Sequence, residues 1–497
     1  MSDSIKEKAI RGVGWSALDS MLSYGMTFLI GVILARLLAP EDYGLIGLVG
    51  IFTAICNCFI NAGFSSALIR KKDASPDDYN TVFICNLTVS VIMYFIIFLM
   101  APLIADYFER SELIKLTRVS SVGMIIGALG LVQSTRLTKR IDFKTQTKIT
   151  ILSTFIQGCV GISLAFLGYG VWALVWQGLT ATFLRTLLLC VFNHWVPKLH
   201  FSLKSFKELF GFSSKLLVSS LIDNVWGQLY QAVIGKFYAP ATLGQYTRAT
   251  GYSSLFSSNL TSVIQRVSYP VLSELQDNKE RLKAGYKKII KTTMFITFVS
   301  SLMLAAVSKP FIIVLIGEKW IQAAYFLQII CFSSMLFPLH VINLNMLQVQ
   351  GRSDLFLRLE IIKKMIAIGP LLLGIFVGIY WMLIGSVFVS LICYYLNAYY
   401  SGTYVNYNMY EQVRDIFPSF AVGLTAAVFA WMPVVIYELL FDIANRSTLE
   451  YVLVLCTQLL MGFSIFILLC RYYQLSEYVE IKDILKSKLK NVFRRRN

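Results

Sequence analysis

Charge is what this chain of 497 residues is short of: Asp, Glu, Lys and Arg together make up 15% of it, against about a quarter of an ordinary soluble domain. The shortage coincides with apolar runs of membrane-spanning length from residue 13 almost to residue 472, with 56% of residues hydrophobic and a mean hydropathy of +0.65. A soluble enzyme is excluded on that ground. Acidic residues are scarcer than basic ones, 28 against 45, for a net charge of +17. In a soluble protein that excess would point to nucleic acid. Here the cations sit in short loops between apolar runs, so no nucleic-acid partner is expected. Histidine is nearly missing too: His194, His200 and His340 form no metal spacing and no catalytic order with Cys or a carboxylate. The nine cysteines are scattered singly and read as inert core thiols. There is no GxxxxGK[ST] loop, and no inner loop is large enough for a nucleotide-binding domain. An ATP-driven pump would have to borrow its ATPase, and a membrane glycan polymerase or ligase would lack the large acid-bearing outer loop it needs. No enzyme, no metal and no cofactor are expected.

What is present is a series of apolar segments. A span needs roughly 20 apolar residues, and cutting at Gly, Pro and charge clusters yields about 14 candidates, the first at 13–38 and the last at 448–470. The basic start (Lys6, Lys8, Arg11) precedes an apolar stretch too long for a signal-peptide core, so it reads as the first anchored helix. Alternate loops and the two ends together collect 34 of the 45 Lys and Arg, and the opposite side nine. By the positive-inside trend both termini are cytoplasmic.

An internal repeat is visible at an offset of 200. Arg36-Leu-Leu-Ala39-Pro40-Glu-Asp-Tyr-Gly44 matches Lys236-Phe-Tyr-Ala239-Pro240-Ala-Thr-Leu-Gly244, and Gly168-Tyr-Gly-Val-Trp172 is echoed by Gly378-Ile-Tyr-Trp381. Six spans separate the copies, which is the parallel-repeat class of transporter. The expected architecture is an all-α polytopic membrane protein with two pseudo-symmetric six-helix lobes, plus two C-terminal helices. Its parts are 1–205 (spans one to six and an interlobe linker), 206–405 (spans seven to twelve) and 406–497 (two spans and a basic amphipathic tail), with a site expected between the lobes.

Polar stripes mark where that site would be. In the first span Ser16, Asp19, Ser20, Ser23 and Thr27 share a helical face, and in the seventh Ser220, Asp223, Asn224, Gly227, Gln228 and Gln231 lead toward Lys236. The hydroxyls alone fit close helix packing; Asp and Gln ask for more. Asp223 lies roughly 20 Å into a helix starting near Phe210, close to the midplane, and Asp19 only about 9 Å from the cytoplasmic end, where water or Lys215 would satisfy it. Arg36 and Lys236 end their helices on the outer side, against the charge trend. Two readings stand for them and for Arg266, Lys215 and Arg185: snorkelling to headgroups, or a cationic lining for a phosphate-bearing substrate. The tail from Leu475 suits a cytoplasmic amphipathic helix on anionic lipid, so membrane lipids are expected partners.

The segment Ala35-Arg-Leu-Leu-Ala-Pro-Glu-Asp-Tyr-Gly44 after Gly14-Trp15, with Ala62-Gly-Phe-Ser-Ser-Ala-Leu-Ile69, Gly170-Val-Trp-Ala-Leu-Val175 and Tyr269-Pro-Val-Leu-Ser-Glu-Leu-Gln276, resembles the polysaccharide transporter family. These are the Wzx-type flippases of the multidrug/oligosaccharidyl-lipid/polysaccharide exporter (MOP) superfamily. The resemblance implies a central cavity lined by helices one, two, seven and eight and alternating access without ATP hydrolysis. It implies an undecaprenyl-diphosphate-linked oligosaccharide as substrate, turned from the cytoplasmic to the periplasmic leaflet of the bacterial inner membrane for O-antigen, capsule or exopolysaccharide. On that reading Arg36, Lys236, Asp223, Asp19, Asn224, Gln228, Gln231, Arg266 and Lys215 are the substrate-binding candidates. A proton or sodium gradient would act through Asp223 or Asp19, and a polysaccharide polymerase and chain-length regulator would be partners. The alternatives are a cation-coupled drug or metabolite antiporter of the same fold, a membrane glycan polymerase or ligase, and a non-transporting scaffold.

Overall fold

A computed structural model describes residues 3–61, 63–193, 195–440 and 447–494. Within these it describes all side chains except those of 3–14, 16–18, 215, 256, 258–260, 262, 263, 266, 267, 353, 484, 485 and 488–494. Helices account for nearly all of it. They are α1 (Asp3–Leu37), α2 (Pro40–Asn61), α3 (Phe64–Arg70), α4 (Pro76–Tyr107), α5 (Glu112–Lys139), α6 (Phe143–Phe166), α7 (Val171–Asn193), α8 (Leu203–Phe237) and α9 (Pro240–Glu274). They continue with α10 (Lys279–Ile316), α11 (Ile321–Ser334), α12 (Phe337–Val349), α13 (Ser353–Ile366), α14 (Ile368–Phe376), α15 (Ile379–Val405), α16 (Met409–Leu440), α17 (Thr448–Tyr472) and α18 (Ser476–Arg494).

Eleven candidate spans among the described residues are long and apolar enough to cross a membrane, and the chain is a multi-pass membrane protein. The three remaining sequence-predicted spans fall on α8, α9 and the α13–α14 pair. Asp223, Asn224, Gln228 and Gln231 lower the apolar character of α8, and Ser, Thr and Gln do the same for α9. The third is divided at Ala367 into pieces of 14 and 9 residues. Helix starts follow local chemistry. Ser75 and Asp78 form a reciprocal capping box ahead of α4, with Pro76 in the first turn, and Ser447 with Glu450 does the same for α17. Tight turns fall where glycine permits a left-handed backbone: Gly168 (φ 79°) and Gly170 (φ 53°) separate α6 from α7.

The chain divides into two compact units, Met1–Gly244 and Gln245–Asn497. In the first, α4 packs along α5, α5 and α6 along α7, α1 along α6, and α8 along α2. One of its cores joins Phe64, Leu68, Phe83, Val132 and Leu209. Here the repeat finds its physical meaning. A Cβ built on Gly44 would fall on the Pro240 carbonyl, and one built on Gly244 would fall on the Pro40 carbonyl. The two Ala-Pro corners are thus packed reciprocally, each glycine admitting the other copy's backbone. In the second unit α10 is the central helix, packed by α11, α12, α16 and α17. From Thr293 onward apolar residues bury it on several sides, while its first turns carry Lys283, Lys287 and Lys291 on ion pairs. Tyr286 on α10 donates its hydroxyl to Asn343 Oδ1 (2.5 Å), and its oxygen lies 3.1 Å from Ser401 Oγ, inside a core with Met294, Phe298, Met346 and Tyr407.

Candidate functional site

Of the sequence-predicted residues, Asp19 has the most informative surroundings. It is half-buried on α1, its Oδ1 has no hydrogen-bond partner among the described residues, and the Arg185 guanidinium on α7 lies close enough to act on its charge. Ser23, one turn further along α1, sets its hydroxyl beside the same carboxyl. Arg185 lines a cavity of about 320 Å³ between α5 and α7, together with Ser134, Thr182 and the glycines Gly127 and Gly130. Gly130 makes room for it: an added Cβ there would crowd Thr186 at 2.9 Å. A carboxylate, a guanidinium and hydroxyls in one lobe interior can bind an anion through the arginine or hold a cation at the acid. Arg185 is placed on a cavity wall, where snorkelling along α7 was one of its two readings.

On α8 the polar stripe exists but is used unevenly. Asn224 donates its Nδ2 to the Ser220 carbonyl (2.9 Å), a bond within its own helix. Asp223 is exposed, and Gln228 and Gln231 are half-buried. Because α8 starts at Leu203, seven residues before the expected Phe210, Asp223 lies about 30 Å along the helix. Lys236 is anchored. Its Nζ donates to the Tyr107 carbonyl (2.6 Å) and to Glu109 Oε1 (2.9 Å) and lies 4.9 Å from the centre of the Tyr107 ring. Tyr107 ends α4, so the ammonium sits at the negative end of a helix dipole. The Lys236 bond and charge hold the exposed Glu109 carboxyl below the usual glutamate range. Arg36, its repeat counterpart, is exposed at the end of α1. The side chains of Lys215 and Arg266 lie outside the described residues, and His194 is outside them altogether.

Sequence reasoning did not find the ties at the start of α8. Lys71 bridges Asp78 (2.9 Å) and Glu208 (3.0 Å), linking the α3–α4 turn to the start of α8. Those two hydrogen-bonded carboxylates hold the Lys71 ammonium above its usual range against the opposing effect of desolvation. The only advance signal was the run Arg70-Lys71-Lys72, which names no partner. His340, set aside as structural, lies in contact with Ser390 (3.2 Å) and Asn397 (3.4 Å) at the α12–α15 packing. Among the described residues no group of His, Cys, Asp and Glu could hold a metal.

Comparison with known proteins places this geometry in a family. The chain is 24% identical to the lipopolysaccharide biosynthesis protein WzxC of Escherichia coli over 75% of this chain and 76% of that one. It is 25% identical to the succinoglycan biosynthesis transport protein ExoT of Rhizobium meliloti over 65% and 66%. Its fold is that of the lipid II flippase MurJ in an inward closed conformation, with a TM-score of 0.72 at 13% identity over 93% of this chain and 99% of that one. A family model described as "Polysaccharide biosynthesis protein" matches residues 33–325, from the end of α1 into α11. The chain belongs to that family of polysaccharide biosynthesis proteins, as its Ala-Pro corners and loop motifs resembled.

Proposed function

We propose that this protein is a flippase that carries undecaprenyl-diphosphate-linked oligosaccharide from the cytoplasmic to the periplasmic leaflet of the bacterial inner membrane, feeding O-antigen, capsule or exopolysaccharide synthesis. The observation that carries the reading is the family match across more than half of a multi-pass chain, joined to relatives named for lipopolysaccharide and succinoglycan biosynthesis. The chemistry agrees with it. A diphosphate needs a cation that is not consumed by a structural pair, and Arg185 on its cavity wall is better placed for that than Lys236, which is committed to Glu109 and the end of α4.

Asp19 supplies the acid that a proton or sodium coupling requires, with Asp223 as the second candidate. Alternating access moves the headgroup while the polyprenyl tail stays in lipid. Both termini lie in the cytoplasm by the distribution of lysine and arginine. A polymerase and a chain-length regulator would receive the product. The test is mass spectrometry of polyprenyl-linked glycans, with their leaflet location, in cells lacking the gene. Build-up of an undecaprenyl-diphosphate repeat unit on the cytoplasmic face, restored by the wild-type chain but not by Arg185→Gln, is the expected result. An unchanged lipid pool with intact surface polysaccharide, in a strain with no second flippase, overturns the reading in favour of the antiporter.

A further inference from the structure

The first unit carries a second and larger cavity, of about 870 Å³, on the other flank of the α5–α7 packing. Its outer wall is Phe183, Leu187 and Val191, an i, i+4, i+8 stripe of α7 whose side chains are about half exposed. Its floor is nearly without free polar groups: the Thr186 hydroxyl is spent on the Ile126 carbonyl at 3.0 Å. At the basic end of α5 the groove is closed by Trp195, which meets the rings of Tyr79 and Phe83 edge-on. One polar side chain, Gln133, breaks the apolar lining at that end, and Arg136 stands just outside the lining against Trp195. Gln133 is 2% exposed and keeps its Oε1 without a partner among the described residues. One turn further, the Arg136 guanidinium lies 5.3 Å from the Trp195 ring and 5.6 Å from that of Tyr79, with Nη1 buried and unpartnered.

No carboxylate pairs with Arg136 among the described residues: the titratable groups acting on it are Arg140, a second positive charge, and Tyr79. Aromatic faces attract a guanidinium but accept none of its five hydrogens in plane. A buried, unpaired donor of this kind is costly, and a phosphate oxygen is the acceptor that fits it. The groove beside it asks for hydrocarbon. The two demands together describe an anionic amphiphile. Its chain length is bounded as well: from Phe183 to Val191 is eight helical rises, about 12 Å, close to the roughly 15 Å that one leaflet contributes to a hydrocarbon core of about 30 Å. An acyl chain matches that depth and a long polyprenyl tail exceeds it.

We propose that this groove binds one anionic phospholipid of the cytoplasmic leaflet, its acyl chain along α5 and α7 and its phosphodiester on Arg136. The bound lipid ties the segment 195–197, which leads into α8, to the body of the first unit. The experiment uses the purified full chain in detergent, with native mass spectrometry and thermal melting against added dioleoyl phosphatidylglycerol. Wild type is expected to retain one phosphatidylglycerol per chain and to melt at a higher temperature in its presence. Arg136→Gln should weaken retention by about tenfold, the loss of one charged hydrogen bond. Leu187→Trp, which fills the groove from a lipid-exposed position and leaves every cation in place, should weaken it comparably, with circular dichroism confirming that both variants remain helical. Retention unchanged in both variants overturns the proposal. So does displacement of the phospholipid by undecaprenyl phosphate, which would make the groove a polyprenyl site, or equal protection by inorganic phosphate alone, which would leave the groove without a role.

Discussion

At the end of α1, Arg36 stands exposed three residues before Ala39-Pro40. At the end of α8, Lys236 stands the same distance before Ala239-Pro240, but held by Glu109 and the last carbonyl of α4. Downstream the two corners agree again, Gly44 against the Pro240 backbone and Gly244 against the Pro40 backbone. The difference separates two kinds of inheritance from a duplication. Backbone shape is shared, because each copy's proline and glycine are needed by the other's close approach. Charge is not: a cation at a helix end can be left exposed, as Arg36 is, or given to a neighbouring carboxylate, as Lys236 is, without disturbing the corner. Equivalent positions in a repeat therefore share packing roles before they share chemical ones.

The largest effect should come from testing the shared part. Gly44→Val and Gly244→Val each drive a branched side chain into a backbone that cannot withdraw, at a cost of about 3 kcal/mol or more. Both should lower the melting temperature and the yield of folded protein. Gly227, with open space where its Cβ would be, is the control. Gly227→Ala in the middle of α8 should be neutral or gain up to about 1 kcal/mol in helix propensity. If only one of the two corner variants is destabilised, the reciprocity is broken and the corners are not equivalent.

A second effect concerns the acid and base of the first unit. Arg185→Gln and Asp19→Asn should each reduce translocation of lipid-linked glycan by about tenfold or more, the scale of one lost charged contact. If Arg185 binds substrate and Asp19 serves coupling, Arg185→Gln weakens apparent affinity while Asp19→Asn removes the dependence on the ion gradient. Identical losses of both properties in both variants would make them one structural pair. Lys236→Gln extends the corner to function: because the lysine is committed to Glu109, its loss should cost transport less than Arg185→Gln does.

Much of this was legible in the sequence. Low charge and long apolar runs fixed the class, and Ala39-Pro40 with Gly44 against Ala239-Pro240 with Gly244 pointed to the duplication, because glycine and proline carry backbone geometry in their identity. Breaks inside spans were harder. The boundary near Ala367 and the one between α11 and α12 at Met335-Leu336 have apolar residues on both sides, so hydropathy runs through them. Pairings were not readable at all. Lys236 finds Glu109 at 127 positions' distance, and Asp19 meets the charge of Arg185 from another helix. A stripe on one helix names a face; only packing says what that face meets.

The smallest effect isolates the committed lysine. Because Lys236 lowers the Glu109 carboxyl below its ordinary value near 4.5, the pair favours the folded state in full above the ordinary glutamate range and loses that contribution as pH falls through the lowered value. Both groups lie near the surface, so the change is modest and weakened further by salt. Lys236→Met should return the Glu109 titration toward 4.5 and flatten the acid limb of stability against pH. Arg36→Met should leave both where they are. Carbon-detected NMR of labelled glutamate in nanodiscs, with Glu109→Gln to assign the resonance, reads this directly. A Glu109 titration that ignores Lys236 would break the pair, and one that follows Arg36 instead would exchange the roles of the two cations.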